Sequence, residues 1–193
     1  MNRLLLHTCC APCSTAVLER LIEELPETHI TVFYYNPNIY PTEEYKKRKN
    51  EQIKYIKLLN NPNIDMIDAD YDPDKFEKSI CGLEHEKEGG KRCSICFLLR
   101  LEETAKKAKE LNHDFFTTSL TVSPHKNATI INSIGNMLSK KYGIKFLERD
   151  FKKKDGFKRS IILSKENNIY RQNYCGCKYS IWQKNMEKEG NHE

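Results

Sequence analysis

The chain has 193 residues, 38% of them hydrophobic and 31% charged, with a formal net charge of +5. That length suits one domain with a proper core, and no run approaches the ~20 apolar residues needed to cross a bilayer. The opening Met1 to His7 is too short for a signal peptide and runs straight into cysteines, so a cytoplasmic chain without a membrane partner is expected.

Taken in order, Arg3 to Thr8 reads as a buried strand and Ser14 to Ile22 as a helix. Ile30 to Tyr35 is a second strand, stopped by Asn36-Pro37-Asn38. Thr42 is expected to cap a helix running to about Leu59, with Glu43 and Glu44 in its first turn. A third strand spans Ile64 to Ala69, and Asp72 or Pro73 opens a helix through Phe76 and Ile80. Glu84 to Lys91 reads as a loop, Cys96 to Leu111 as a helix, and Phe115 to Leu120 as the fourth strand. Ala128 to Tyr142 is helical, Ile144 to Leu147 is the fifth strand, and Ser160 to Glu166 is a last helix. Trp182 then precedes a polar tail, Glu187 to Glu193. Strand and helix alternate about every 30 residues, which predicts an α/β fold with a doubly wound parallel sheet in a single domain, 1–193. Ligands in such sheets collect at the carboxyl ends of the strands, where the first cysteines and Ser119 to His125 both fall.

Seven of the eight cysteines form three tight groups: Cys9, Cys10 and Cys13; Cys93 and Cys96; Cys175 and Cys177. In a reducing compartment such groups point to metal or redox chemistry rather than a disulfide framework. Cys10 with Cys13 and Cys93 with Cys96 are CxxC pairs, and two such pairs make a four-sulfur set for zinc or an iron–sulfur cluster. A structural zinc ribbon is the plainest use of two CxxC pairs. Here the pairs stand roughly 80 positions apart and three further thiols remain, which zinc alone leaves unexplained. The candidate ligands are Cys10, Cys13, Cys93 and Cys96, favoured by spacing, or Cys9, Cys10, Cys93 and Cys96. Cys9 and Cys10 share one metal only if the chain turns between them, since neighbours on a strand point to opposite sides. Cys175-Gly176-Cys177 is a CxC, either a strained redox-active disulfide pair that glycine permits or a second metal site. Cys81 stands alone.

Weaker signals accompany these. His7 is a ligand candidate, although a satisfied core histidine is the commoner outcome. His125 and Lys126 could meet an anion at the strand end. Tyr45-Lys46-Lys47-Arg48-Lys49 and Arg149-Asp150-Phe151-Lys152-Lys153-Lys154 are basic blocks compatible with RNA, with Tyr34, Tyr35, Tyr45 and Phe151 as candidate stacking residues, although core packing is the better expectation for Tyr34 and Phe33. Neither a GxGxxG nor a P-loop occurs, which removes support for nucleotide-dependent hydride chemistry.

The chain resembles the cobalamin-independent epoxyqueuosine reductases called QueH. The resemblance lies in His7-Thr8-Cys9-Cys10-Ala11-Pro12-Cys13, Tyr35-Asn36-Pro37-Asn38-Ile39-Tyr40-Pro41 and Glu44 to Arg48. It continues through Arg92-Cys93-Ser94-Ile95-Cys96 to Leu101, Phe116 to Leu120, Ser123 to Lys126, Arg149 to Lys153 and Tyr170 to Cys177. Lys152 departs from the arginine expected at that place. The resemblance implies a Rossmann-like, HUP-type fold carrying a [4Fe-4S] cluster on four of Cys9, Cys10, Cys13, Cys93 and Cys96, and allows a nearby mononuclear iron. It implies an oxidoreductase that reduces the epoxide of epoxyqueuosine, at the wobble position of a tRNA anticodon, to the alkene of queuosine. Electrons come from an external donor. The competing readings are a zinc-stabilised RNA-binding protein without catalysis and a thiol–disulfide redox protein centred on Cys175 and Cys177.

Overall fold

The computed structural model describes residues 1–189. Five strands form one parallel sheet: β1 (Asn2–His7), β2 (Thr28–Tyr34), β3 (Ile64–Asp68), β4 (Phe115–Thr118) and β5 (Lys145–Phe146), in the order β3-β2-β1-β4-β5. Leu4 pairs with Ile30 on one side of β1 and with Phe115 on the other, so β1 is central. A central parallel strand is covered on both faces, so its middle is apolar, and Leu4, Leu5 and Leu6 are fully buried.

Alternation along the strands divides the core. Leu5, Phe33 and Phe116 face one layer, with Leu101, Ala105 and Ala108 of helix α4 (Lys91–Glu110) and Ile131 and Leu138 of α5 (Ala128–Tyr142). Leu4, Leu6, Ile30 and Val32 face the other, with Val17, Leu18 and Leu21 of α1 (Ala11–Glu24) and Tyr55 of α2 (Thr42–Leu59). Helix α6 (Gly156–Glu166) packs beside α1 on that face. The short α3 (Pro73–Ser79) and the last helix α7 (Lys178–Glu189) complete the described chain.

Sheet order reverses direction between β1 and β4, and the crevice at that switch opens beyond His7 and Thr118. Two connections leave from there. After β1 the chain bends through Cys9 and enters α1 with Cys10 as its N-cap residue. After β4 it forms a 3-10 turn, Ser119–Val122, with the Thr118 hydroxyl accepting from the Leu120 N–H.

Several element ends differ from expectation. Pro12 sits inside the first turn of α1, where its missing N–H costs nothing, so the helix starts before Ser14. Thr42 is the first residue of α2 rather than its cap; Pro41 holds the cap position and no side chain caps the end. Helix α4 begins at Lys91, not Cys96, which puts Cys93 and Cys96 on one turn of one helix. The fourth strand stops at Thr118 because Ser119 and Leu120 enter the 3-10 turn. Helix α7 stands where the sequence gives no helix, and the expected polar tail belongs partly to it; residues 190–193 lie outside the described residues.

Candidate metal and redox site

All seven grouped cysteines gather near the switch-point edge, in two sets. Cys9, Cys10 and Cys13 have their sulfurs within 4.8 Å of one another. The chain does turn between Cys9 and Cys10, since their Sγ atoms lie 3.6 Å apart. Such spacing is close to the ~3.8 Å that thiolates adopt round a single tetrahedral ion with ~2.3 Å bonds. Cys93 and Cys96 instead line a narrow cavity together with Cys175 and Cys177. A wider cleft of about 590 Å³ is lined by Cys9, Cys13 and Cys175, along with Phe157, Arg171 and Tyr174. Cys175 and Lys126 border both spaces and so connect them. Cys81 is exposed and apart.

The trio behaves as one acid. Hydrogen bonds from Cys10 and then Cys13 hold the Cys9 thiol well below its ordinary range against the cost of burial. A bond from Cys13 lowers Cys10, but its bond to Cys9 and burial outweigh this and push it up to about 11. Donating to Cys10 and Cys9, together with burial, raises Cys13. One thiolate at Cys9 is thus the first charge this site accepts. The position at the N-terminus of α1 favours it further. Gln172 donates from Nε2 to Cys10 Sγ at 2.9 Å, tying the C-terminal segment to the first cysteines.

Fixed cations face the thiols. Arg100 is 1% exposed; its Nη2 donates to Asn36 Oδ1 at 2.7 Å and its Nη1 lies 3.9 Å from Cys96 Sγ. Burial opposes the charge of Lys126, yet negative charge on the neighbouring cysteine sulfurs, Cys175 first and then Cys9 and Cys13, outweighs it and raises that ammonium above its ordinary value. Arg92 is buried with Nε and Nη2 unpartnered, and it borders the cavity shared by the four thiols. Burial pushes Cys96 up to about 12 and also raises Cys93 and Cys177. Those thiols stay protonated until a cation or a redox partner engages them. Clustered sulfurs with buried guanidinium groups beside them fit an anionic metal–thiolate centre.

His7 is a core residue. Its Nδ1 lies 2.9 Å from Thr118 Oγ1 and its Nε2 3.1 Å from the Tyr35 carbonyl, with no solvent contact. Burial first and Arg100 second depress it to about 3, so it is neutral. The named stacking candidates are also structural. Tyr34, Tyr35, Tyr45 and Phe151 are all buried, and Tyr45 stacks on Tyr71 at 4.0 Å. The aromatics that do reach the cleft are Phe157 and Tyr174. No periodicity marked Phe157, but its place in the first turn after the second basic block could have.

Within the first basic block Arg48 is buried and Lys49 pairs with Asp68, leaving Lys46 and Lys47 exposed. In the second, Lys152 pairs with Asp150 at 3.7 Å while Lys153 and Lys154 stay exposed. No described helix is long and apolar enough to cross a membrane.

The fold resembles a crystal structure of a predicted subunit of tRNA methyltransferase from Methanocaldococcus jannaschii. The TM-score is 0.52 at 16% identity, over 84% of this chain and 75% of that one, a likeness of fold alone. Sequence relatives are much nearer. Epoxyqueuosine reductase QueH of Streptococcus pyogenes is 44% identical over 180 residues, which covers 92% of this chain and 69% of that protein. Its counterpart in Staphylococcus epidermidis is 42% identical over 190 residues, covering 96% and 79%. The family model for epoxyqueuosine reductase QueH matches residues 4–183, nearly the whole described fold, and the chain therefore belongs to the QueH family.

Proposed function

We propose that this chain is an epoxyqueuosine reductase, an oxidoreductase that converts the epoxide of epoxyqueuosine in a tRNA anticodon to the alkene of queuosine. The observation that carries the reading is the gathering of seven thiols in two neighbouring sets at the sheet's switch point, with Arg92, Arg100 and Lys126 beside them. Family membership supplies the substrate. A [4Fe-4S] cluster held by four of Cys9, Cys10, Cys13, Cys93 and Cys96, and so drawing on both sets of thiols, would supply single electrons, and a mononuclear iron bound by remaining thiols would supply a Lewis acid for the epoxide oxygen.

The chain's own residues do the rest. Cys175 and Cys177 are the dithiol that stores both electrons of the reduction. Both thiols lose their hydrogens as an S–S bond forms, and the epoxide gains two electrons and two protons. Its two C–O bonds break, a C=C bond forms and water leaves, so dithiol and epoxide become disulfide, alkene and water. An external electron donor then restores the dithiol. Lys126, at the junction of cavity and cleft, offers a fixed positive charge where the oxygen gains electron density. Phe157 and Tyr174 offer faces for the extruded base. Lys46, Lys47, Lys153 and Lys154 supply the solvent-facing charge for the RNA backbone.

Anaerobic iron and acid-labile sulfide analysis, paired with turnover of epoxyqueuosine-containing tRNA, tests this. Colourless protein carrying only zinc, with no turnover, overturns it. Because Cys93, Cys96, Cys175 and Cys177 share one cavity, a second reading makes the CxC pair metal ligands. The Cys175→Ser/Cys177→Ser double variant separates the two. A redox pair predicts lost turnover with iron retained, whereas a ligand pair predicts that iron is lost as well. Full turnover in the double variant removes both.

A further inference from the structure

Arg48 lies in a basic block where a phosphate contact would be its ordinary use, yet its guanidinium is 1% exposed and fully engaged. Nε donates to Glu44 Oε1 at 2.7 Å, Nη1 to the Cys175 carbonyl at 3.0 Å and Nη2 to the Tyr174 carbonyl at 3.4 Å. Glu44 is braced in turn by the Tyr170 hydroxyl, 3.2 and 3.3 Å from its two carboxylate oxygens. Gly176 rests on the same guanidinium, since a Cβ there would stand 2.9 Å from Nη1. Its φ of +133° is a conformation that side chains rarely adopt. From the other side the Tyr40 N–H donates to the Gly176 carbonyl at 2.8 Å, and the Tyr174 hydroxyl donates to the Tyr40 carbonyl at 2.9 Å.

We propose that Arg48 is a positioning residue for the reduction: its planar fork fixes the backbone on either side of Cys175 so that both sulfurs of the CxC pair are presented to the site together. The inference rests on the dithiol reading above and deepens it. A flexible Cys-Gly-Cys segment would spread its sulfurs over many arrangements, because glycine restrains the backbone least. Two parallel donors to consecutive carbonyls remove that freedom without touching either sulfur. Lysine cannot replace them, since an ammonium is a point donor without the fork. Displacement of a reacting group by ~1 Å costs on the order of 10²-fold in rate, so losing the fork should appear in the chemical step.

Arg48→Lys and Arg48→Gln, in iron-loaded protein, are compared with wild type for kcat, KM and the salt dependence of tRNA binding. Both should show wild-type KM, tRNA affinity and salt slope, with kcat lowered about 10- to 100-fold and iron content unchanged. Retention of the positive charge in Arg48→Lys should not rescue. Wild-type kcat in Arg48→Lys overturns the proposal, as does a weakened, less salt-dependent tRNA affinity with kcat intact, which would mark a phosphate contact. Should the Arg48 variants not fold, Tyr170→Phe decides, because it removes only the brace on Glu44. A few-fold fall in kcat at constant affinity supports the proposal and an unchanged kcat refutes it. The Cys175→Ser/Cys177→Ser protein, run alongside, reports separately on the dithiol reading: full turnover there sinks that reading whatever Arg48 does.

Discussion

Gly135 offers a case in which two effects of opposite sign can be weighed. It lies on the buried face of α5, and a Cβ built there would overlap the Phe146 ring, with Cδ1 only 2.6 Å away. Phe146 in turn meets Phe116 with ring centroids 5.1 Å apart. Replacing a mid-helix glycine by alanine gains about 1 kcal/mol of helix propensity. Forcing a methyl into a packed contact costs about 1–3 kcal/mol, and disturbing an aromatic pair costs about 0.5–1.5 kcal/mol more. Packing should win, so Gly135→Ala should be destabilised by roughly 0.5–3.5 kcal/mol. In a Phe146→Ala background the obstacle is gone and only the propensity gain remains, so the same substitution should stabilise by up to about 1 kcal/mol. Urea unfolding of the four proteins of this cycle, with reductant present, measures the coupling. With m near ~2 kcal/mol/M, the single variant should lose about 0.3–1.8 M in its midpoint. If Gly135→Ala acts equally in both backgrounds, the account of this contact is wrong. The consequence reaches the site, because α5 follows directly on the Ser123 to Asn127 segment that carries Lys126.

Three other outcomes can be measured. Buried His7 stays unprotonated down to about 3 while the unfolded chain takes up its proton near 6.5, so in that window the unfolded state binds more protons. Stability relative to His7→Gln should therefore fall on acidification with a slope approaching ~1.4 kcal/mol per pH unit, and parallel curves for the two proteins would contradict the assignment. Gly176→Ala must adopt a φ of +133° and meet Ile39 Cγ1 at 3.3 Å, at a strain of about 1–3 kcal/mol. Turnover should fall more than about tenfold while the far-ultraviolet dichroism is unchanged, and near-normal turnover would show that the loop tolerates another backbone. Glu19 accepts two hydrogen bonds from Arg159, joining α1 to α6 and holding its carboxyl below the usual range. That contribution is present above the ordinary carboxylate value of about 4.3 and is lost as pH falls through the depressed one. Wild type and Arg159→Gln should therefore converge in stability under acid, and a gap that persists at the lowest pH would argue against the pair.

Much of this protein was legible along the chain because local patterns carry it. Three consecutive leucines after Arg3 mark a strand buried on both faces, and alternating strands and helices of ordinary length predict a parallel sheet. Grouped cysteines at the end of the first strand point to chemistry at the sheet's switch point. Tertiary structure alone decided how those sulfurs are shared. Cys9, Cys10 and Cys13 close on one another because the backbone bends between β1 and α1, while the helix turn bearing Cys93 and Cys96 faces Cys175 and Cys177 across a cavity. It also decided that Tyr35, Tyr45 and Phe151, available on paper for stacking, are core residues, and that Arg48, one of a row of cations, turns inward. A sequence lists charges and rings without saying which carbonyls they will reach. Contacts such as Arg48 with Cys175, 127 positions apart, exist only once the chain has folded.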